Sequence, residues 1–188
     1  RLGLQAYGMN HTEGGFAQSF IHFLPAWPED PAFFATVDPQ YRALYADLKG
    51  SAGPDVSRRF ANPVELGWGH MMKFDHAFRG MDALEAASRA SGRKIVTLQW
   101  SKEDILDVFA SQFREGADLQ FMDFAANPVW QQSISVVMAD DVLVDGRNVG
   151  ISSGRVFSFF YKAMISLALL EADYSAPGAQ VEVLWGDI

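Results

Sequence analysis

The chain has 188 residues, a formal net charge of -8 and no cysteine. Its length and its apolar fraction of 49% suit one or two globular domains with a buried core. The lack of cysteine excludes disulfides, thiolate metal sites and cysteine nucleophiles, and the negative charge argues against nucleic-acid and anionic-membrane partners. The lack of cysteine fits a reducing cytoplasm, where we expect the protein, and no apolar run reaches the length of a membrane span.

The first part of the chain predicts two short strands around a glycine turn. Residues 1–25 are rich in glycine and aromatic residues, and they predict one strand over 2–9 and a second short strand over 20–23. Gly14 and Gly15 lie between them and predict a loop. Three prolines then predict a segment without regular structure, at positions 25, 28 and 31.

Helical patterns follow. Asp38 before Pro39 predicts the start of a helix that ends near Leu48, since proline is favoured in a first helical turn. Residues 49–62 form a polar loop. A second helix is predicted over 81–90, where alanine is abundant.

The second half predicts β-structure with one helix. Residues 94–100 alternate and are β-branched, which indicates a strand. Ser101 to Asp104 resembles a capping box that opens a helix through about 114. Four apolar residues of that helix share one face: Ile105, Val108, Phe109 and Phe113.

Short strand-like runs punctuated by turns occupy the remainder. They cover residues 135–138, 142–144, 148–152, 164–171 and 180–185. Asp145-Gly146 is a two-residue hairpin turn, and Pro177-Gly178 predicts another turn before the last strand. This pattern predicts a small β-barrel or sandwich, with a domain boundary near residue 92.

The most specific pattern is the run Asn-Pro-Val-Glu-Leu-Gly-Trp-Gly at 62–69. It is followed by Lys-Phe-Asp at 73–75 and by Phe-x-Gly-x-x-Ala-Leu at 78–84. Gly67 and Gly69 flank Trp68, so the main chain can approach a flat partner closely. The pattern resembles the signature of the tetrahydrofolate-dependent methyl- and aminomethyltransferases, the glycine-cleavage T-protein and its demethylase relatives.

Further segments resemble the same superfamily. The runs 144–154 and 177–183 are similar to the hairpin and the closing strand of its C-terminal barrel. Further residues resemble the branch of aryl O-demethylases, which remove methyl groups from methoxybenzoates such as vanillate and syringate. They are 6–7, 10–16, 73–76, 96–100 and 183–186.

The resemblance implies an α+β fold. Residues 1–92 would be the C-terminal part of a folate-binding domain, and 93–188 an antiparallel β-barrel domain with a helix at about 102–114. It also implies that the chain is a fragment of a longer enzyme. The missing N-terminal part of the same protein would carry the main pterin-binding residues upstream of Arg1, and the fragment alone would be inactive.

The implied reaction moves a methyl group from a small-molecule aryl ether to N5 of tetrahydrofolate and needs a proton donor to the departing phenolate. His11 is the candidate donor, because histidine exchanges protons near neutral pH. Glu13 could accept a pterin N–H or orient His11, and Asn10 shares their loop. The alternative interpretation is that these three side chains satisfy loop backbone groups.

Two aromatic residues complete the candidate cofactor site. Tyr7 and Trp68 could line the tetrahydrofolate cleft or pack in the core. The reaction requires no metal, and the spacing of His70, Asp75 and His76 matches no standard metal site, so we predict none.

Charged residues near the signature have simpler interpretations. Glu65 is expected to cap the turn or form a structural ion pair. Arg58 and Arg59 are expected in a surface loop, with attraction of a folate polyglutamate tail as the alternative.

Two other classes of function remain open. The parent protein could be an aminomethyltransferase of glycine cleavage or a demethylase of a small sulfonium or amine. The chain could also be a non-catalytic binding or interaction module that retains the fold.

Overall fold

The computed structural model describes residues 3–90, 92–116, 122 and 137–186 of the chain. Within them the fold is α+β. The helices are α1 (Leu4–Glu13), α2 (Pro31–Phe34), α3 (Pro39–Leu44), α4 (Met81–Arg89) and α5 (Lys102–Ser111). The strands are β1 (Leu48–Lys49), β2 (Arg93–Gln99), β3 (Val137–Val144), β4 (Arg147–Ser158), β5 (Ala163–Glu171) and β6 (Glu182–Leu184).

The six strands form one sheet. Its order is β1-β3-β4-β5-β2, and β6 also pairs with β3. All pairings are antiparallel except that of β1 with β3. Among the described strands, β2 at one edge does not pair with β1 or β6 at the other. Closure into a barrel therefore stays a prediction.

Strand β5 is covered on both faces. Leu167 and Leu169 pack in a core cluster with Leu66. Leu66 belongs to the run at 62–69, which we call the signature turn. Ala168 and Leu170 point to the opposite face and pack in a second cluster with the C-terminal segment. The first 90 residues thus cover one face of the sheet, and the last residues cover the other.

The predicted strand over 2–9 is wrong, because Leu4–Glu13 is the helix α1. Gly8 and Thr12 lie one turn apart and are both buried. Because both residues are small, the helix approaches the sheet closely, and this long-range packing overrides the local preference of the segment.

The second predicted strand, over 20–23, is also wrong. This segment is a turn in which only a single bridge joins Ser19 to Phe23. Phe20 has a left-handed backbone with φ +66° and packs edge-on against Trp27 and Tyr45. A bulky residue rarely adopts this φ, so the turn is held by tertiary contacts rather than by local preference.

The proline segment contains more structure than predicted. Trp27–Glu29 is a short 3-10 helix, and Pro31 begins α2. The Asp30 side chain accepts a hydrogen bond from the Phe33 backbone at 3.0 Å and so caps this helix. Proline is compatible with a first helical turn, which explains the difference.

The third helix is shorter than predicted. It begins at Pro39, with Asp38 as its cap, but it ends at Leu44. Leu48 and Lys49 instead form β1, which pairs with Val137 and Met138 of β3. A strand from the first half of the chain therefore joins the sheet of the second half. The predicted boundary near residue 92 stays a prediction.

The locally specified elements are confirmed. Helix α4 and strand β2 match their predicted ranges within one residue. Ser101 caps α5 by accepting from the Asp104 backbone at 3.2 Å, but the helix ends at Ser111. Phe113 lies beyond its end and is 92% exposed, so the prediction that it shares a helix face with Ile105, Val108 and Phe109 is wrong.

The predicted hairpin is confirmed as well. Asp145 and Gly146 both have positive φ, +52° and +75°, and join β3 to β4. Strand β4 extends to Ser158, beyond the predicted 148–152, and carries a register shift between Ser153 and Val156. Residues 135–136 of the first predicted strand lie outside the described residues.

Candidate functional site

Helix α1 is fastened to the sheet by a buried hydrogen-bond chain. Thr12 is completely buried, and its hydroxyl donates to the Gly154 carbonyl oxygen of β4 at 3.1 Å. The same hydroxyl lies 3.1 Å from Nε2 of the buried His22. The Gln18 backbone N–H donates to His22 Nδ1 at 3.0 Å.

These partners define the state of His22. Nδ1 accepts the Gln18 N–H, so Nε2 must carry the proton and donate it to Thr12. Burial, aided by the nearby His11, lowers the pKa of His22 to about 3. The neutral His22 is therefore a structural bridge between the turn at 18–22, α1 and β4.

Glu13 ends α1 and contacts the far end of β4. Its Oε1 accepts a hydrogen bond of 2.5 Å from the Ser158 hydroxyl. Ser158 is completely buried, and its oxygen also accepts from the Tyr161 backbone N–H at 3.0 Å. The carboxylate thus fixes the turn between β4 and β5.

His11 lies in a row of aromatic rings on the exposed side of α1. Its ring contacts Tyr7 at a centroid distance of 4.7 Å and Phe16 at 5.8 Å. Its Nδ1 lies 3.3 Å from the Phe16 carbonyl oxygen. Tyr7 and Phe16 are 48% and 49% exposed, so the row presents accessible flat surface beside an imidazole.

Trp68 supports this row from below. Phe16 stacks on Trp68 at 5.4 Å, and Trp68 also packs against the core cluster that contains Leu66 and Leu167. Phe16, which sequence reasoning did not select, is the more exposed of the two rings. No local pattern in the sequence indicated that Phe16, which follows the turn residue Gly15, would be half exposed.

Glu65 stabilises the signature turn through hydrogen bonds and an ion pair. The Asn62 side chain accepts from the backbones of Val64 and Glu65 at 2.9 and 3.0 Å, and Glu65 Oε2 accepts from the Asn62 N–H at 2.9 Å. This reciprocal arrangement is a capping box. Glu65 also pairs with Arg93 of β2. The structural interpretation of Glu65 is confirmed.

The neighbouring arginines differ from the prediction. Arg59 is 1% exposed and donates to the carbonyl oxygens of Lys49 and Gly53, so its assignment to a surface loop is wrong. Arg58 pairs with Asp141 at 2.6 Å. Burial lowers the pKa of Arg59 to about 10, and it remains charged at neutral pH. Arg59 is therefore an interior cation, whereas the Arg58 side chain is partly exposed.

Asp140 is a buried acid that sequence reasoning missed. It accepts from the backbone N–H groups of Gly186 at 3.2 Å and Ser51 at 3.4 Å. Burial raises its pKa to about 6, and the charges of Arg155 and Arg59 only partly oppose this effect. It lies between Ala139 and a second aspartate, Asp141, in β3, and this local pattern did not indicate that it would be buried beside two cations.

A separate cleft lies on another part of the molecule. It has a volume of about 950 Å³ and is lined by β2, the start of α5 and the segment 178–185. Arg155 lies between the rings of Trp100 and Trp185 at its edge, 5.8 and 5.4 Å from their centroids. None of the predicted site residues lines this cleft.

The structure therefore brings together part of the predicted site. His11, Tyr7 and, through Phe16, Trp68 form one row. Glu13 hydrogen-bonds Ser158, while the Phe16 carbonyl is the partner of His11. Asn10 is exposed, and its carbonyl accepts from Gly14 as part of the end of α1.

His70 and His76, in the segment that begins with the signature turn, each contact a nearby group of the same segment. His76 pairs with Asp75 at 2.7 Å on the surface, and His70 Nδ1 lies 3.1 Å from the Gly67 carbonyl oxygen. No cluster of three or more acidic, histidine or cysteine side chains suited to a metal occurs among the described residues. Within the same residues, no helix has the length and apolarity needed to cross a membrane.

Comparison with known proteins finds two relatives of the chain. The chain is 39% identical over 196 residues to the sesamin methylene transferase of Sinomonas sp. (strain No.22). It is 32% identical over 190 residues to the syringate O-demethylase of Sphingobium sp. (strain NBRC 103272 / SYK-6). Each alignment covers 99% of the chain but only 43% and 39% of the respective relative.

These relatives confirm the resemblance that the signature carries. The chain is similar over nearly its whole length to a methylene transferase and to an O-demethylase. No family model matches the chain. It spans about two fifths of the length of the curated relatives it matches.

Proposed function

We propose that the full-length protein that carries this chain is a tetrahydrofolate-dependent methyltransferase, and specifically an aryl O-demethylase. The observation that carries the proposal is the accessible imidazole of His11 between the half-exposed rings of Tyr7 and Phe16. Similarity to a syringate O-demethylase over nearly the whole chain supports it. We further propose a cytoplasmic location, which the absence of cysteine in this chain supports.

His11 has the geometry of a proton donor. In the protonated ring, Nδ1–H donates to the Phe16 carbonyl oxygen at 3.3 Å, which leaves Nε2–H without a hydrogen-bond partner among the described residues. The methyl carbon–oxygen bond would break with its electrons left on the aryl oxygen, as the methyl carbon becomes bonded to N5 of tetrahydrofolate and the proton of N5 is released to solvent. Nε2 gives its proton to that oxygen, so a neutral phenol leaves and His11 becomes neutral.

The aromatic row fits flat partners. Phe16, backed by Trp68, and Tyr7 present ring surfaces on which an aryl donor or a pterin can stack. Tetrahydrofolate would supply N5 as the methyl acceptor. Asn10, exposed at the same end of α1, and the second oxygen of Glu13 are polar groups within this neighbourhood. We propose that other parts of the protein complete the pocket, and that this chain alone is inactive.

The test is methyl transfer by the full-length protein. With syringate and tetrahydrofolate as substrates, the wild type should form 5-methyltetrahydrofolate and the demethylated phenol in equal amounts. His11→Gln should lower kcat by about 10²- to 10⁴-fold, the usual contribution of general acid catalysis. His70→Gln, in an exposed histidine of the signature loop, is the matched control and should be unaffected. Equal activity of the two variants would remove His11 from the mechanism.

A second candidate is transfer of a methylene unit. The similarity to a sesamin methylene transferase at 39% identity favours it. The two reactions differ in their folate product, because methylene transfer yields methylenetetrahydrofolate. Chromatography of the folate products with methoxy and methylenedioxy aromatic donors decides between them.

A non-catalytic role is the remaining alternative. It predicts no tetrahydrofolate binding by the full-length protein at millimolar ligand in titration calorimetry. Binding without transfer of carbon from an aryl donor would instead favour the aminomethyltransferase or the sulfonium or amine demethylase, which assays with those donors test directly.

A further inference from the structure

The turn between β4 and β5 presents three consecutive aromatic side chains to solvent. Phe159, Phe160 and Tyr161 are 65%, 80% and 55% exposed. With 150–250 Å² for each ring, they leave on the order of 400 Å² of aromatic surface uncovered. Such an area on one short turn is the size of patch that marks an interaction site. We call these three residues the aromatic tip.

The aromatic tip is well ordered by its contacts. The buried hydroxyl of Ser158 accepts from the Tyr161 N–H at 3.0 Å and donates to Glu13 at 2.5 Å. The ring of Phe159 packs edge-on against Phe157 at 5.4 Å, and that of Phe160 against Tyr161 at 5.0 Å. A partner would therefore bind a preformed surface and lose little conformational entropy in doing so.

The surroundings of the aromatic tip favour a polypeptide partner. Within two residues of it along the chain, Lys162 is the only charged residue, so the turn itself is apolar. The chain as a whole has a net charge of -8, which disfavours nucleic acid and anionic lipid. The relatives continue well beyond the aligned region, because the chain covers only 43% and 39% of them. That additional polypeptide is the natural source of an apolar cover.

We propose that the aromatic tip is the docking surface for the remaining polypeptide of the full-length protein. Through Ser158 and Glu13, the docked tip is connected to α1, which carries His11. The contact would fix the candidate proton donor relative to the rest of the pocket. The proposal rests on the proposed function only for this last consequence, since the docking itself requires no catalysis.

The test uses the absence of cysteine in this chain. Phe160→Cys in the full-length protein introduces a thiol at the centre of the aromatic tip, and Phe113→Cys introduces one at a position that is 92% exposed. The rate of thiol alkylation in each variant is read by peptide mass spectrometry, first without added donor or folate and then with syringate. We expect the thiol of the Phe160→Cys variant to react at least 100-fold more slowly than that of the Phe113→Cys variant, at a rate independent of protein concentration.

Three results would overturn the proposal. Equal rates at the two positions would mean that the tip is uncovered. Protection that appears only at high protein concentration would assign the surface to a second copy of the chain. Protection only in the presence of syringate would assign it to a ligand. Because alkylation does not depend on turnover, a protected tip in a protein without methyl transfer would reject the proposed function alone.

Discussion

Glu65 and Arg93 join the signature turn to the first strand of the second half of the chain. Glu65 Oε1 lies 2.9 Å from Arg93 Nε, and Oε2 lies 3.2 Å from Nη2. Arg93 also donates to the carbonyl oxygens of Arg58 and Phe60, so one guanidinium holds three chain segments together. The bidentate geometry explains why arginine is suited to this position.

The substitution Arg93→Lys should lower stability. Lysine cannot reproduce the fork that contacts both carboxylate oxygens and two carbonyls, so we expect a loss of about 2 kcal/mol in the free energy of unfolding. Arg89→Lys is the matched control, because Arg89 pairs with Glu85 on the surface of α4. Its loss should be within about 0.5 kcal/mol. Urea unfolding measures both, and similar losses would contradict the assigned role of Arg93.

Gly154 should not tolerate a side chain. A Cβ there would lie 2.6 Å from Cδ2 of the His22 ring, and the backbone is left-handed with φ +64°. Gly154→Ala should therefore cost several kcal/mol, from overpacking and backbone strain together. Gly178→Ala isolates the second effect, because φ is +86° and no atom lies within 4 Å of its Cβ position.

The Gly178→Ala loss should be about 1–2 kcal/mol. Thermal unfolding of the two variants gives the comparison. If both lose the same stability, the ring of His22 is not packed against Gly154 as described.

The hydroxyl of Thr12 should matter more than its methyl group. Thr12→Val keeps the shape but leaves the Nε2–H of His22 and the carbonyl of Gly154 without their shared partner. We expect a loss of about 2–4 kcal/mol, since both groups are buried. Thr12→Ser keeps the hydroxyl and should lose clearly less. Denaturant midpoints test this order, and a more stable valine variant would contradict it.

His22 and Asp140 should oppose each other in the dependence of stability on pH. The pKa of His22 is lowered from 6.5 to about 3, so the unfolded chain takes up a proton first and stability falls as the pH falls below about 6.5. The pKa of Asp140 is raised from 3.8 to about 6, so its contribution increases as the pH falls through about 6.

The substitution Asp140→Asn should expose this opposition. Without the titrating carboxyl, stability should fall more steeply between about pH 6 and about pH 4 than in the wild type. The difference in slope should approach, but not exceed, about 1.4 kcal/mol per pH unit. Urea unfolding at several pH values measures it. Parallel curves for wild type and variant would show that Asp140 does not titrate in this range.

The sequence predicts elements whose signals are local. Helix α4, strand β2 and the start of α5 were predicted because composition, alternation and the Ser101 cap act over a few residues. The hairpin at Asp145-Gly146 was predictable for the same reason.

Features that depend on distant contacts were not predictable. Helix α1 looked like a strand because its buried face is formed by Gly8 and Thr12, whose partner Gly154 lies on another element. Burial of Arg59 and Asp140 depends on the meeting of β1, β3 and the loop between β1 and the signature turn. Part of the candidate site, the row of Tyr7, His11 and Trp68, was selected by resemblance rather than by local pattern.

The anchoring of α1 has a consequence for biosynthesis. Thr12 meets Gly154 across 142 residues and Glu13 meets Ser158 across 145 residues. Contacts that close such long loops form late, after local helices and hairpins. On the ribosome, the segment with His11 therefore emerges long before its scaffold exists. The proposed site would therefore be assembled only after β4 has been synthesised.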